Sequence, residues 1–151
     1  MSAAPSRYFA SRMRPSADRL DVSRVAIFLH NGEYDRVHEG LSIAAAAVAA
    51  ERRADVFFSW WALERLAQGR LDEPDFERED LIDRFEGRRL PTLRSLLAYL
   101  RESGHCTLYA CTGSMEILGI PRDALERSVD QFVGWTTILQ LTAGVADRFW
   151  L

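Results

Sequence analysis

The sequence has 151 residues, 48% of them hydrophobic, which suits one domain of common size with a buried core. Its net charge is −3 and all 19 basic residues are arginines, so a Schiff-base lysine and the phosphate-binding lysine of a P-loop are excluded. The longest apolar stretches, residues 41–50 and 135–146, fall short of the roughly 20 apolar residues that a membrane-spanning helix needs.

The first part of the chain, residues 1–22, is rich in Ser, Ala, Pro and Arg and has little periodicity. We interpret it as a flexible tail before a single domain at residues 23–151, although an organelle-targeting peptide has a similar composition. The first 20 residues carry four arginines against one aspartate, so the rest of the chain has a net charge of −6. Most of that charge lies in residues 72–86, and an acidic domain is a poor candidate for binding nucleic acid.

The first half of the domain alternates apolar runs with helical patterns. The almost unbroken apolar run at residues 24–30 is typical of a strand in a parallel sheet that is covered on both faces. The alanine-rich stretch after it predicts a helix that packs closely on the sheet. The predicted elements are strands at 24–30 and 54–60, helices at 35–53 and 61–68, and an exposed acidic excursion at 71–89 with a short helix near 80–85.

The second half begins with a helix that has Pro91 in its first turn and leucines at the i, i+3, i+4, i+7 spacing of one buried face. Gly104 is expected to end that helix, and Gly119 to close a short helix after Cys111. The remaining predicted elements are strands at 105–110, 131–133 and 146–151, helices at 112–119 and 135–144, and a turn at 121–127.

The alternation of five strands with helices predicts an α/β fold, in which helices cover both faces of a mainly parallel sheet. No Gly-x-Gly-x-x-Gly follows the first strand, so a dinucleotide site has no support. Parallel sheets bind ligands at the carboxyl ends of their strands. The residues expected near those ends are His30, Asn31, Trp60, Trp61, Cys111, Gly134 and Trp135.

Cys111 is the candidate reactive residue, because it is expected to end a strand and to precede the amino end of a helix. Unpaired N–H groups and the helix dipole favour a thiolate there, and the thiolate is a nucleophile that can also carry a persulfide. Thr112 and Ser114 are predicted to donate hydrogen bonds to the sulfur. The alternative is a buried, inert cysteine that packs as a small hydrophobe.

The other cysteine, Cys106, lies among apolar neighbours inside the same predicted strand, which favours an inert role. If residues 106–111 are extended, the two cysteines are roughly 16 Å apart and point to opposite faces, so they cannot easily form a disulfide. Two cysteines are also too few for a disulfide scaffold, and we expect a reducing, cytoplasmic location.

Asp35 and His38 invite a metal or acid–base interpretation because their spacing places them on one face of a helix. The sequence lacks the Cys or His spacing that is typical of zinc sites. We therefore predict a helix-capping Asp35, a surface His38, no metal and no cofactor. His30, at the end of the first strand, could act on a ligand near Cys111.

The tryptophans near the strand ends, Trp60, Trp61 and Trp135, have two interpretations. They could line a pocket or an oligomer interface, because apolar aromatic residues at a sheet edge often mark a covered surface. Core packing is the simpler interpretation for at least one of them.

The segment around Cys111 resembles the strand–cysteine–helix segment of the DsrE/DsrF-like proteins, especially their peroxiredoxin-like branch. It reads Leu-Tyr-Ala-Cys-Thr-Gly-Ser-Met-Glu-Ile-Leu-Gly-Ile at residues 108–120. The likeness extends from about residue 24 to residue 151. The further segments that look like this branch are 29–38, 56–63, 133–139 and 146–150.

The resemblance implies a three-layer α/β/α fold with a five-stranded parallel sheet, and homo-oligomers that are often trimers or hexamers. In sulfur-relay members of the family, the cysteine that matches Cys111 accepts sulfur and passes it on as a persulfide. The sequence departs from the branch at Ala62, where glycine is usual, in its longer acidic stretch and in its N-terminal tail.

Three functions are consistent with these features. The first is sulfur handling, in which Cys111 accepts sulfane sulfur from a donor and hands it to an acceptor protein, as a sulfurtransferase or sulfur carrier does. The second is a non-enzymatic, oligomeric ligand- or protein-binding module in which the cysteine is incidental. The third is thiol redox sensing, which would need a thiol from another chain because Cys106 is badly placed.

Overall fold

The computed structural model describes residues 20–151, so the predicted tail lies outside the described residues except for its last three positions. Two of those three positions belong to the first strand, which begins at Asp21. The strands are β1 (Asp21–Leu29), β2 (Arg53–Phe58), β3 (Cys106–Cys111), β4 (Gln131–Val133) and β5 (Val145–Trp150). The helices are α1 (Tyr34–Ala49), α2 (Trp60–Ala67), α3 (Leu81–Gly87), α4 (Leu93–Glu102), α5 (Thr112–Leu118) and α6 (Trp135–Leu141), with a 3-10 turn at Arg122–Ala124.

The five strands form one parallel sheet in the order β4-β3-β2-β1-β5. This confirms the predicted α/β class and the five-stranded sheet. The chain places β2, β3 and β4 successively on one side of β1, and then returns to place β5 on its other side. The strand order therefore reverses between β1 and β5, which is where open parallel sheets bind ligands at their carboxyl ends.

The direction of each crossover decides which face of the sheet its helix covers. Crossovers between parallel strands are almost always right-handed, so connections that move in opposite directions along the sheet place their helices on opposite faces. The connections from β1 to β4 move one way and contain five helices, whereas the return from β4 to β5 contains only α6. The two faces are consequently covered very unequally.

Face one is the face covered by α1, α2 and α4, and it holds the larger hydrophobic core. Gly40 of α1 packs so closely on it that an added Cβ would lie 2.3 Å from Cδ2 of Leu29. This agrees with the expectation that small residues bring α1 near the sheet. The strand residues that define face one are Val25, Ile27, Leu29, Ala54, Val56, Phe58, Leu108 and Ala110, all fully or almost fully buried.

Face two is the opposite face, and its apolar core is small and largely aromatic. From α6, Ile138 and Leu141 pack against this core, and Trp135 stacks on Phe28. Helix α6 has seven residues and is about 10 Å long. The sheet below it is five strands wide, or about 19 Å. The residues of the apolar cluster on face two are Ala26, Phe28, Phe57, Tyr109, Val133, Ile138 and Val145.

The predicted boundaries hold to within a few residues, and most differences lie at helix ends. Helix α1 ends at Ala49, four residues earlier than predicted, and the chain then turns with Glu51 in the left-handed region at φ 59°. Pro91 precedes α4 instead of joining its first turn, because the Thr92 hydroxyl accepts the Ser95 N–H as the N-cap. The predicted helix stop at Gly104 is confirmed by its φ of 69°.

The acidic segment, predicted as an exposed excursion, is attached to the body of the domain at several points. Asp72 accepts hydrogen bonds from the Thr92 hydroxyl and the Arg94 N–H at the start of α4. Asp75 accepts the Tyr34 N–H at the start of α1 and forms an ion pair with the buried Arg65. Only the part around α3 is mostly exposed, as predicted. Within residues 20–151, no helix combines the length and hydrophobicity needed to cross a membrane.

Candidate functional site

A row of four aromatic rings crosses face two near the carboxyl ends of the strands. The strand register places Trp150, Phe28, Phe57 and Tyr109 beside one another on four adjacent strands. Consecutive ring centroids are 3.9, 5.1 and 4.6 Å apart, with interplanar angles of 14° or less. Because each ring stacks on the next, the row forms a firm floor for whatever lies above it.

Above this floor lies a cavity of about 240 Å³, which we call the aromatic cavity. Residues from β1, β2, β3, β5 and α6 enclose it, at the position where the strand order reverses. Four of the residues predicted for the strand ends, His30, Trp60, Cys111 and Trp135, meet there. The nine described residues that line it are Phe28, His30, Phe57, Ser59, Trp60, Cys111, Trp135, Ile138 and Trp150.

Cys111 ends β3 and directs its thiol into the aromatic cavity from face two. It is a free cysteine and only 3% exposed. Side chains two residues apart on a strand lie on the same face of the sheet. Cys111 therefore lies on face two, because Tyr109, two residues earlier, belongs to that face. Because the thiol is buried beside the cavity, only a molecule that enters the cavity can reach Cys111.

Cys106, at the other end of β3, packs against the core on face one. Burial, followed by the nearby carboxylates of Asp55 and Asp130, raises the pKa of its thiol to about 12. It is therefore a protonated, unreactive thiol near neutral pH. The prediction that the two cysteines point to opposite faces is confirmed, and no disulfide joins them.

The backbone of His30 is held between the last strand and the second helix. Its N–H donates to the Leu151 carbonyl at 2.9 Å, and its own carbonyl accepts the Trp61 N–H at 3.2 Å. The imidazole is exposed and also lines the aromatic cavity. A side chain that is exposed to solvent on one side and to the cavity on the other can exchange protons between the two.

Trp60 is fixed in an unusual conformation by Ser114. Its φ is 46°, in the left-handed region that non-glycine residues rarely adopt, and its N–H donates to the Ser114 hydroxyl oxygen at 3.0 Å. Ser114 is 3% exposed, so this bond links α5 to the first residue of α2. Ser114 therefore supports one wall of the cavity without lining it; its predicted bond to the sulfur stays a prediction.

Besides Ser114, two more predicted site residues lie outside the aromatic cavity. Thr112 lines a separate depression together with Phe132, and its hydroxyl lies close to Gly134. The side chain of Asn31 accepts the Glu33 N–H at 2.8 Å and so shapes the turn before α1. Asn31 is thus a turn residue beside the site, whereas Thr112 only flanks Cys111 in sequence.

Arg65 fixes the loop that carries His30 and Asn31. Its guanidinium donates to the carbonyls of Gly32 at 2.6 Å and Glu73 at 2.8 Å, and it is only 7% exposed. A Cβ on Gly32 would lie 2.7 Å from the carbonyl oxygen of Trp61, so glycine is required where this loop meets α2. Sequence analysis missed Arg65, because only the fold brings together its partners, which are backbone carbonyls and the Asp75 carboxylate.

The lower half of face two, toward the amino ends of the strands, is polar. Arg24 pairs with the buried Asp55 at 2.5 Å, and the Tyr109 hydroxyl lies 3.4 Å from the same carboxylate. Burial, followed by the charge of Asp55, raises the pKa of Tyr109. These groups satisfy one another, so the open space on this face is confined to the aromatic half.

Asp35 and His38 do not form a site with His30. Asp35 is exposed in the first turn of α1; the N-cap residue is Glu33 and not Asp35, but the Asp35 carboxylate accepts the Arg36 N–H of that turn at 2.8 Å. His38 is half-buried: Nε2 lies 2.9 Å from the Pro91 carbonyl and its ring packs edge-on against Phe85. Among the described residues, no group of three or more His, Cys, Asp or Glu could hold a metal ion.

Sequence analysis missed five residues of the aromatic cavity. Sequence analysis placed Phe28 and Phe57 in strands. Because side chains alternate between the two faces along each strand, their positions relative to Cys111 would have placed both on the same face of the sheet as Cys111. Trp150 could be found only by knowing that β5 lies beside β1, and Ile138 only by knowing which face α6 covers. Ser59 is a small polar residue at the end of β2 with no distinguishing signal.

No protein-family model matches this chain and no curated protein sequence matches it, so the site has to be interpreted from its own residues.

Proposed function

We propose that this chain is a cysteine-based sulfur-handling protein, in which Cys111 accepts sulfane sulfur, holds it as a persulfide and passes it on. One observation carries the proposal: the Cys111 thiol is 3% exposed and lines a cavity at the carboxyl ends of the strands, together with His30 and Ser59. Ligands bind at this edge in open parallel sheets. The resemblance to the DsrE/DsrF-like proteins, in which the matching cysteine carries sulfur, supports the same function.

The proposed reaction is a sulfur exchange with a persulfide donor, R–S–SH. The Cys111 thiolate attacks the outer sulfur, the S–S bond of the donor breaks, and the donor leaves as R–S⁻. One S–S bond forms as one breaks, so no oxidant or reductant is needed. The proton that Cys111 gave up ends on the departing thiolate, and His30, exposed to both cavity and solvent, is the proposed carrier.

The fold supports Cys111 over Cys106 as the acceptor. The thiolate is the nucleophile in such exchanges, and the pKa of about 12 keeps Cys106 protonated near neutral pH. Because Cys111 is buried beside the cavity, only a thiol that enters the cavity can attack its persulfide. Transfer to an acceptor is the same exchange in reverse, with an acceptor thiol attacking the outer sulfur of the Cys111 persulfide.

The wider proposal covers assembly and location. We propose a DsrE/DsrF-like homo-oligomer, a trimer or hexamer, that acts in the cytoplasm with donor and acceptor proteins and without nucleic acid. A rim of exposed aromatic residues at the cavity mouth supports a contact surface there: Trp60 is 41%, Trp135 48% and Trp150 58% exposed. The same rim favours the alternative, an oligomeric binding module with an incidental cysteine.

The test is the intact mass of the protein after incubation with a persulfide donor. We expect the wild type and Cys106→Ser to gain the mass of one sulfur atom, reversibly with excess dithiothreitol, and Cys111→Ser to gain none. If the folded wild type gains no sulfur, or if Cys111→Ser gains as much, Cys111 is not the acceptor and the binding module becomes the better interpretation.

A further inference from the structure

The lining of the aromatic cavity is apolar and carries no fixed charge. Of its nine described residues, six are apolar and five of those are aromatic. His30 and Cys111 are the two titratable groups, and no arginine or carboxylate lines the cavity. The nearest ion pair on this face, Arg24 with Asp55, lies in the polar half and is already satisfied.

The aromatic walls are nearly parallel. The Trp135 ring lies 6.4 Å from that of Phe28 and 6.3 Å from that of Trp150, with interplanar angles of 13° and 11°. Phe28 and Trp150 themselves stack at 3.9 Å. Because Phe28 and Phe57 each have a stacked ring on both sides, they present their edges to the cavity. A flat aromatic ligand that lies on these edges makes edge-to-face contacts, which contribute about 0.5–1.5 kcal/mol beyond the area buried.

The size of the cavity sets an upper bound on its ligand. A dry apolar cavity of about 150 Å³ holds one benzene molecule, whereas drug-sized ligands occupy about 300–1,000 Å³. The aromatic cavity, at about 240 Å³, therefore has room for one ring with a small substituent. A nucleotide or a peptide is too large to be enclosed, and could insert only one ring or one side chain through the open mouth.

The absence of a charged partner in the lining disfavours anionic ligands. An anion that enters an apolar site loses its hydration, and here no arginine in the lining replaces it. Thiosulfate and other small inorganic sulfur donors are charged and hydrophilic, so they fit poorly.

From these four observations we infer that the aromatic cavity binds a small, uncharged, monocyclic aromatic molecule. The rest of the inference depends on the proposed function: the sulfur that reaches Cys111 is carried by such a molecule, as the protonated, uncharged form of an aryl or benzyl persulfide. The donor then leaves as the matching aromatic thiol, by the exchange described above. The cavity selects the carrier by shape and by lack of charge.

The experiment measures binding to the full chain with two probes that share a benzene ring, toluene and benzenesulfonate, by changes in the tryptophan indole resonances. We expect saturable binding of toluene, and binding of benzenesulfonate that is weaker by about ten-fold or more because its charge is desolvated.

Two matched variants on α6 locate the binding. Ile138→Phe adds bulk at a cavity position that is 1% exposed, and Leu139→Phe adds comparable bulk at the next residue, which is 65% exposed. We expect toluene binding to be lost in the first and kept in the second. Trp135→Ala, at a half-exposed position that a folded protein tolerates, should weaken binding by about ten-fold through the lost ring contact.

The inference is overturned if benzenesulfonate binds as tightly as toluene, if the folded wild type binds neither probe, or if Ile138→Phe and Leu139→Phe bind toluene equally. If the wild type binds toluene but gains no sulfur from a persulfide donor, the proposed function is wrong and the inferred class of ligand is still supported. Equal sulfur loading from thiosulfate and from benzyl persulfide would overturn the carrier and leave the sulfur function standing.

Discussion

The two faces of the sheet are built from the same strands but differ in cover, composition and content. Face one lies under α1, α2 and α4 and is filled mainly with aliphatic side chains, although Tyr34 and Phe58 are also buried there. Face two has only the seven-residue α6, a stacked aromatic row and an open cavity. Strand β3 shows the difference most directly, because it presents Cys106 to face one and Cys111 to face two.

The comparison teaches that chain topology decides where a site can form in this fold. The connections from β1 to β4 contain five helices, of which α1, α2 and α4 cover face one, and the single return connection leaves face two thinly covered. A packed face contributes stability, and a thinly covered one leaves room for a ligand. In this account face one stabilises the domain, and face two provides the site.

Much of the fold was predictable because its signals are local. Apolar runs bounded by turn residues located all five strands, and the leucines of α4 located that helix. Parity along one strand was enough to separate Cys106 from Cys111. The site was only half predictable: residues at strand ends were found, but Trp150 and Ile138 depend on which strands and helices become neighbours, which no local pattern encodes.

The two faces should differ most in how much stability is lost when one side chain on each side of β3 is shortened. Leu108→Ala removes a fully buried side chain from face one, so we expect a loss of roughly 2–5 kcal/mol in the free energy of unfolding. Cys111→Ala removes a sulfur that already borders a cavity, so we expect a loss below about 1 kcal/mol. Urea unfolding measures both, and equal losses would contradict the distinction between the faces.

A smaller effect is expected from a single methyl group under α1. In Gly40→Ala the new Cβ collides with the buried side chain of Leu29, at a cost of about 1–3 kcal/mol. The better helix propensity of alanine offsets up to about 1 kcal/mol of that cost. Gly87→Ala in α3 is the matched control, because its methyl would meet no atom within 4 Å. Thermal unfolding that leaves Gly40→Ala as stable as Gly87→Ala would show that face one is not tightly packed.

Because the pKa of Cys106, the thiol on face one, is raised, we expect the stability of the protein to depend on pH in the alkaline range. Folding raises the pKa of Cys106 from 9.0 to about 12, so the native state keeps a proton that the unfolded state loses. Stability from this group is complete below about pH 9 and falls as pH rises toward 12, by roughly 1 kcal/mol per pH unit. Unfolding measured from pH 8 to 10 should show this decline in the wild type relative to Cys106→Ala. Parallel curves for the two proteins would contradict the raised pKa.

The smallest expected effect is local to the cavity wall. Ser114→Ala removes the acceptor for the Trp60 N–H, with a loss of about 1 kcal/mol in stability. Because Trp60 has a strained backbone, we also expect its indole resonance to shift and broaden, whereas Thr136→Ala, at an exposed position of α6, should leave it unchanged. An unchanged Trp60 resonance in Ser114→Ala would mean that this bond does not hold the wall.

The most direct test of the account is to map where sulfur attaches when both cysteines of the wild type compete for a limiting benzyl persulfide. Peptide mass spectrometry would compare the native protein with the protein unfolded in urea at the same pH. We predict that the native chain carries sulfur on Cys111 and essentially none on Cys106, and that unfolding makes the two cysteines similar. Equal labelling of both cysteines in the native protein, or labelling of Cys106 alone, would contradict the claim that face two holds the reactive thiol.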